Sequence, residues 1–110
     1  MSLDMLHLDT PPTEQDWVEL SSYTPAGDGF EWQGMLTEQD IDASHRYDED
    51  VRRMLHTIPG ASARLQELGE LLLITSVREA MRLAVCVLRL EEIGELRRVG
   101  DGSAFSATRV

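Results

Sequence analysis

The chain has 110 residues, of which 42% are hydrophobic and 27% are charged, a composition that suits one domain with a modest core. Asp and Glu number 20 against 10 basic side chains, which gives a formal net charge of −10 at pH 7. This balance argues against binding to nucleic-acid phosphates or to an anionic membrane, because both require clustered cations. We therefore expect a soluble cytoplasmic protein that contacts neither nucleic acid nor membrane directly.

Proline and glycine divide the chain into a central region and two tails. Residues 1–12 end in two consecutive prolines, which stop a helix, so we expect a flexible N-terminal tail there. The small and polar residues 101–110 predict a loose C-terminal tail. Alternatively, they pair with 95–99 as a hairpin around the intervening glycines. The remaining residues 13–100 are predicted to form a single helical domain.

The tetrapeptide Thr-Glu-Gln-Asp occurs twice, at 13–16 and at 37–40. In each copy a Thr precedes an Asp by three residues, which approaches the capping box of a helix N-terminus, with Asp in place of Glu or Gln. Both copies therefore predict the start of a helix. The first helix would cover about 14–23, and the competing interpretation makes 17–23 and 30–36 a β-hairpin.

Apolar spacing predicts three further helices. The second would cover 37–58 and bend or break within 42–46, where the apolar stripe is missing. Leucines at helical spacing predict the third over 62–73. A Ser-x-x-Glu capping box at 76–79 opens the fourth, which would end near Val99. The elements together predict a mainly α fold, a compact bundle of about four helices, with a short β-hairpin near residues 17–36 as the α+β alternative.

The fourth helix is apolar around most of its circumference, except for a narrow strip of Arg78, Arg82 and Arg89. Such a helix must be buried on several sides, and three short companion helices give too little cover. We therefore predict a homodimer, in which the arginine strip meets acids of the second chain. A heterodimer through the same face is the alternative. The predicted interface residues are Leu83, Val87 and Leu90.

Residues suited to catalysis or metal binding lack the required spacing. His45 and His56 lie eleven residues apart, about 16 Å along a helix, which is too far for one metal ion. Asp48 lies near His45 without completing a metal-ligand pattern. Cys86 lies in an apolar run with no base within a helical turn, so we interpret it as a core residue. We predict no catalytic residue, no metal and no cofactor, and keep a small enzyme or a phosphotransfer domain as a third interpretation.

Four of the six aromatic residues fall within sixteen positions and alternate with acids. Aromatic side chains in an acidic setting can anchor a basic partner protein, although they can equally close the core. Residues 1–60 carry 13 acids against three arginines, whereas 61–110 carry seven of each. This asymmetry favours either solubility or steering toward a cationic partner. The predicted partner-binding residues are Trp17, Tyr23, Asp28, Phe30, Glu31 and Trp32.

These features predict a non-enzymatic protein-binding factor, such as a regulator, an inhibitor or a chaperone-like protein, for a partner with a basic surface. In size and acidity the chain resembles bacterial secretion chaperones and small phage-type or antitoxin-type inhibitors, a likeness of composition that covers no motif. The alternative is a nucleic-acid mimic that occupies the cleft of a DNA-binding protein. A mimic would lose affinity steeply with added salt, whereas an interface anchored by aromatic side chains would lose much less.

Overall fold

A computed structural model describes residues 9–22, 37–57, 62–100 and 104–107. The fold is mainly α with a small antiparallel sheet, which confirms the predicted fold class. Two consecutive helices are joined by a 3₁₀ turn into one bent unit, so the described helices form four segments. In chain order the elements are α1 (Glu14–Ser21), α2 (Glu38–Ser44), the 3₁₀ turn (His45–Tyr47), α3 (Asp48–Thr57), β1 (Ser62–Arg64), α4 (Leu65–Leu71), α5 (Val77–Glu92), β2 (Leu96–Val99) and β3 (Ala104–Ala107).

Both copies of the repeated tetrapeptide begin a helix, as predicted. The backbone N–H of Thr13 donates to Asp16 Oδ2 at 2.9 Å, and the N–H of Asp16 donates to the Thr13 hydroxyl at 3.2 Å. Thr37 and Asp40 repeat the same two bonds at the same distances. Residues 17–21 are helical in α1, which excludes the first strand of the β-hairpin alternative. The rest of that alternative, residues 23–36, lies outside the described part of the chain.

The sheet accounts for the main departures from the predicted boundaries. The predicted third helix begins as the extended strand β1 and becomes helical only at Leu65. The predicted fourth helix stops at Glu92, because Gly94 adopts a φ of +86° and turns the chain into β2. Residues 104–107 are not a loose tail but strand β3, so the hairpin alternative is the one that forms. The break expected in the second helix is the 3₁₀ turn.

Strand β3 is the centre of the sheet, whose order is β1-β3-β2 with both pairs antiparallel. Phe105 of β3 lies opposite Ala63 of β1 and Arg98 of β2. Its ring is buried, and the Arg98 guanidinium lies 4.8 Å from the ring centroid. Arg98 also donates to the carbonyl of Ser21 and to Glu91, so the sheet is tied to the C-terminus of α1 and to α5.

Helix α5 is the central element, and the chain itself covers it on several sides. The other helices and β2 all pack against it. Leu83, Val87 and Leu90 are buried in this single-chain core, so they offer no exposed interface. Because the sheet adds to the cover that the other helices give α5, this burial removes the reason to expect a second copy. Dimerisation itself stays a prediction without an assigned surface.

Helix α1 packs on α4 through a close contact between Trp17 and Gly69. A Cβ placed on Gly69 would lie 2.6 Å from Cζ2 of Trp17, which is closer than side chains approach one another. The indole is buried at this point. Glycine therefore makes room for the indole, although it disfavours the helix by about 1 kcal/mol relative to alanine.

Helix α5 ends in a Schellman motif, a pair of hydrogen bonds that satisfies the last carbonyl groups of a helix. The N–H of Gly94 donates to Glu91 O at 3.1 Å, and the N–H of Glu95 donates to Leu90 O at 2.9 Å. Glycine holds the position that must be left-handed, where it carries no strain.

Helix α4 ends in the same motif but places a leucine at the left-handed position. The N–H of Leu73 donates to Glu70 O at 3.2 Å, and the N–H of Ile74 donates to Gly69 O at 2.9 Å. Leu73 has a φ of +58°, and its side chain is 79% exposed. An L-residue in this conformation costs roughly 1–2 kcal/mol relative to the right-handed helix.

The contact between Trp17 and Gly69 yields a first prediction. Gly69→Ala should lower the free energy of unfolding by about 2 kcal/mol, because overpacking against the indole outweighs the gain in helix propensity. In a Trp17→Phe background, which removes the ring atoms nearest to position 69, the same change should cost much less. Chemical denaturation of the four proteins measures the coupling, and equal costs in both backgrounds would show that the indole does not limit this space.

The two Schellman motifs yield a second prediction, with opposite signs at equivalent positions. Leu73→Gly should raise the free energy of unfolding by roughly 1 kcal/mol, because it relieves the left-handed strain and removes little packing. Gly94→Ala should lower it by a similar amount, although a Cβ there would meet nothing within 4 Å. Thermal melting measures both effects. A lower melting temperature for Leu73→Gly would show that this side chain stabilises the fold despite its exposure.

Candidate functional site

Asp40 is a buried carboxylate, 1% exposed, that joins α2 to α5. Its Oδ2 accepts from the N–H of Thr37 and from Arg78 Nη1, both at 2.9 Å, and its Oδ1 accepts from Arg82 Nε at 2.7 Å. Burial raises the pKa of the Asp40 carboxyl, but the hydrogen bonds from Thr37 and Arg82 outweigh it and hold the pKa below its ordinary value. The group is therefore an ionised structural link.

Asp48 forms a second link at the start of α3. Its Oδ1 accepts from Arg89 Nη2 at 2.6 Å and from Cys86 Sγ at 3.0 Å, and its Oδ2 lies 3.3 Å from His45 Nδ1. Arg89 also donates to the Ser44 hydroxyl at 2.9 Å. Burial raises the pKa of Asp48, but the hydrogen bonds from Cys86 and Arg89 outweigh it and leave the pKa lowered.

The arginine strip on α5 is thus paired within the chain. Its expected partners were acids of a second copy, but Asp40 and Asp48 of the same chain supply the carboxylates. Both acids come from residues 1–60 and all three arginines come from 61–110. Part of the charge asymmetry therefore holds the two halves of the chain together.

Cys86 is buried against Asp48, in agreement with its interpretation as a core residue. Burial, reinforced by the neighbouring carboxylate, raises the pKa of its thiol far above the usual range. Because the thiolate is the nucleophilic form, this thiol is a poor nucleophile. Within the described ranges, no group of three or more His, Cys, Asp or Glu side chains is placed to hold a metal ion. No helix in those ranges is long and apolar enough to cross a membrane.

A half-open groove of about 230 Å³ lies between α1 and the start of α4. Trp17 and Leu65 line it as buried apolar residues, and Val18 lines it with a side chain that is 55% exposed. The groove is smaller than the ~300 Å³ at which small-molecule sites begin, so it suits one or two side chains of another protein. Its polar lining residues are Glu14, Ser21, Arg64 and Gln66.

Helix periodicity explains how α1 forms its side of the groove. Glu14, Val18 and Ser21 are spaced i, i+4 and i+7, so they share one face of the helix. Val18 thereby lies toward the groove with its side chain more than half exposed, instead of joining the core. The spacing was readable from the sequence, but the contribution of Arg64 and Gln66 depends on how α4 packs on α1.

Trp17 is the one predicted partner-binding residue within the described part of the chain. It is a core residue that also lines the groove, and its role in partner binding stays a prediction. The remaining predicted residues, Tyr23, Asp28, Phe30, Glu31 and Trp32, lie outside the described residues.

Comparisons of the chain with protein-family models, with curated proteins and with solved structures found no match. Function is therefore inferred from the geometry and the charge of the described residues.

The lowered pKa of Asp40 yields a third prediction. A carboxylate whose pKa is lowered by folding stabilises the folded state at pH values above its pKa in the unfolded chain, which is about 3.9 for Asp. This stabilisation is lost as the pH falls through the lower pKa of the folded state. We expect Asp40→Asn to lower the free energy of unfolding by about 3 kcal/mol at pH 7, because two arginines lose their buried counter-ion. The difference from the wild type should shrink as the pH falls below about 4, where Asp40 itself becomes protonated.

The first tetrapeptide provides the matched control for this experiment. Asp16 occupies the same capping position, but its hydrogen bonds are exposed and no arginine in the described part of the chain pairs with it. Asp16→Asn should therefore cost less than about 1 kcal/mol. Denaturation series across acid and neutral pH compare the two variants. Equal losses would show that the pairing with the arginines contributes little.

Proposed function

We propose that the chain is a non-enzymatic protein-binding factor that takes one or two apolar side chains of a partner into the groove between α1 and α4. The observation that supports this proposal is the groove itself, in which buried Trp17 and Leu65 adjoin the exposed side chain of Val18. An apolar pocket with a polar rim is the usual form of an anchor site in protein recognition. A regulator, an inhibitor and a chaperone-like protein all use such a site.

Charge pairing inside the fold supports a basic partner. At least six of the ten arginines form ion pairs with carboxylates of the same chain. Exposed carboxylates, among them Glu38, Asp42 and Glu49, thus contribute to an acidic exterior. Such an exterior raises the rate of encounter with a cationic partner.

The carboxylates of Asp40 and Asp48 favour a binding role over a catalytic one. General acid–base catalysis requires a titratable group within reach of a substrate. Asp40 and Asp48 are instead held by the arginines of α5, and the pKa of each is lowered. These ion pairs hold the helices together. With a lowered pKa, neither carboxyl group exchanges a proton near neutral pH.

A fourth prediction tests the groove with a matched pair of variants. Val18→Arg should fill the groove and repel a basic partner, whereas Ile93→Arg adds the same charge at an apolar residue that is 61% exposed beyond α5. Proteins retained from the source cells on immobilised wild-type chain are identified by mass spectrometry, and the binding of each purified candidate is then measured. We expect Val18→Arg to weaken binding at least about tenfold and Ile93→Arg to change it little.

Salt and folding controls complete the test. Circular dichroism should show that both variants are folded, since both positions are exposed. Affinity should fall only modestly with added salt, because desolvated apolar contacts are insensitive to ionic screening. A steep fall would favour the nucleic-acid mimic instead. A partner that binds Val18→Arg as tightly as the wild type would refute the groove as the binding site.

A further inference from the structure

The end of α4 and the turn that follows it carry two exposed leucines. Leu71 is 58% exposed and Leu73 is 79% exposed, the highest value among the large apolar side chains described. The neighbouring Leu72 and Ile74 instead pack against the core. The turn therefore alternates inward and outward apolar residues, and the outward pair lies within two positions of the chain.

Stability of the fold does not account for Leu73. Its φ of +58° is in the region that favours glycine, and Gly94 fills the equivalent position after α5. The exposed side chain gains few contacts to offset the strain. A strained residue whose side chain adds little to the fold points to a role outside the fold, such as contact with another molecule.

Carboxylates border this leucine pair. Glu67 and Glu70 are exposed on α4, four and one residues before Leu71. Glu67 accepts from the backbone N–H of Arg64, and Glu70 accepts from the side chain of Gln66, so these hydrogen bonds leave both charges in place. The residues that the structure describes give neither carboxylate an ion pair. The surface is thus apolar at its centre and negative at its edge.

We propose that Leu71 and Leu73 form a docking surface for a basic amphipathic segment of a partner protein. Apolar side chains of that segment cover the two leucines, and its Lys or Arg side chains face Glu67 and Glu70. Leu71 lies about 140° around α4 from Gln66, which lines the groove, so the two surfaces are on different flanks of the helix. The docking surface therefore does not depend on the groove.

The test uses the full chain labelled with ¹⁵N and a synthetic amphipathic helical peptide of Leu and Lys, about five turns long. The control peptide has Glu in place of each Lys. We expect the Lys peptide to shift the amide resonances of residues 67–73 and the Glu peptide to leave them unchanged. Leu71→Ser and Leu73→Gly should each weaken binding about tenfold, whereas Ile93→Ser should leave it within about twofold.

Leu73→Gly makes the test decisive, because its two effects have opposite signs. It should raise the melting temperature while it weakens binding, so unfolding cannot explain the loss. Resonance shifts centred on Val18 and Gln66 that Leu73→Gly leaves unchanged would overturn the docking surface and leave the groove intact. Absence of binding, equal binding of both peptides, or an equal loss with Ile93→Ser would overturn it as well.

Discussion

The carboxylate of Asp40 fixes how α2 sits on α5. A buried carboxylate is unfavourable unless hydrogen bonds and counter-charges replace its hydration. Asp40 obtains both, from the capping box of Thr37 on one side and from Arg78 and Arg82 on the other. Since the two arginines stay partly exposed, they keep some of their own hydration. One short side chain thus closes a helix N-terminus and positions that helix on the centre of the fold.

The same arrangement explains how one chain buries a helix that is apolar nearly all round. Asp40 pairs with the first two arginines of the α5 strip, and Asp48 pairs with the third. The bent unit of α2 and α3 thus supplies the counter-ions of the whole strip. The apolar faces are then left for α1, α4 and the sheet to cover. Phe105 of β3 completes this cover from a segment that composition alone predicts to be a loose tail.

Features contained within a few residues could be predicted from the sequence, and features that depend on distant partners could not. The capping boxes at Thr13 and Thr37 are local, and both form. Strand β1 has three residues, and its partner β3 lies about forty positions later in the chain. The identical tetrapeptides also differ in burial, since Asp16 is only partly buried whereas Asp40 is buried against two arginines. In the same way Trp17 was found as a candidate, but the groove beside it required the packing of α4 on α1.

Helix α4 and the turn after it each contain one residue that departs from local preference, and each departure adjoins one of the proposed surfaces. Gly69 stands where alanine would favour the helix, and it admits the indole that lines the groove. Leu73 stands where glycine would relieve strain, and it exposes an apolar side chain. A seven-residue helix is unstable alone, so burial of Leu65 and Leu68 must offset both costs. Local rules are broken most often where a protein binds, because stability alone would remove such exceptions. These two exceptions thus support the proposal that α4 and the turn after it take part in recognition. Helix α5, on which α4 packs, is in turn held by the carboxylates of α2 and α3.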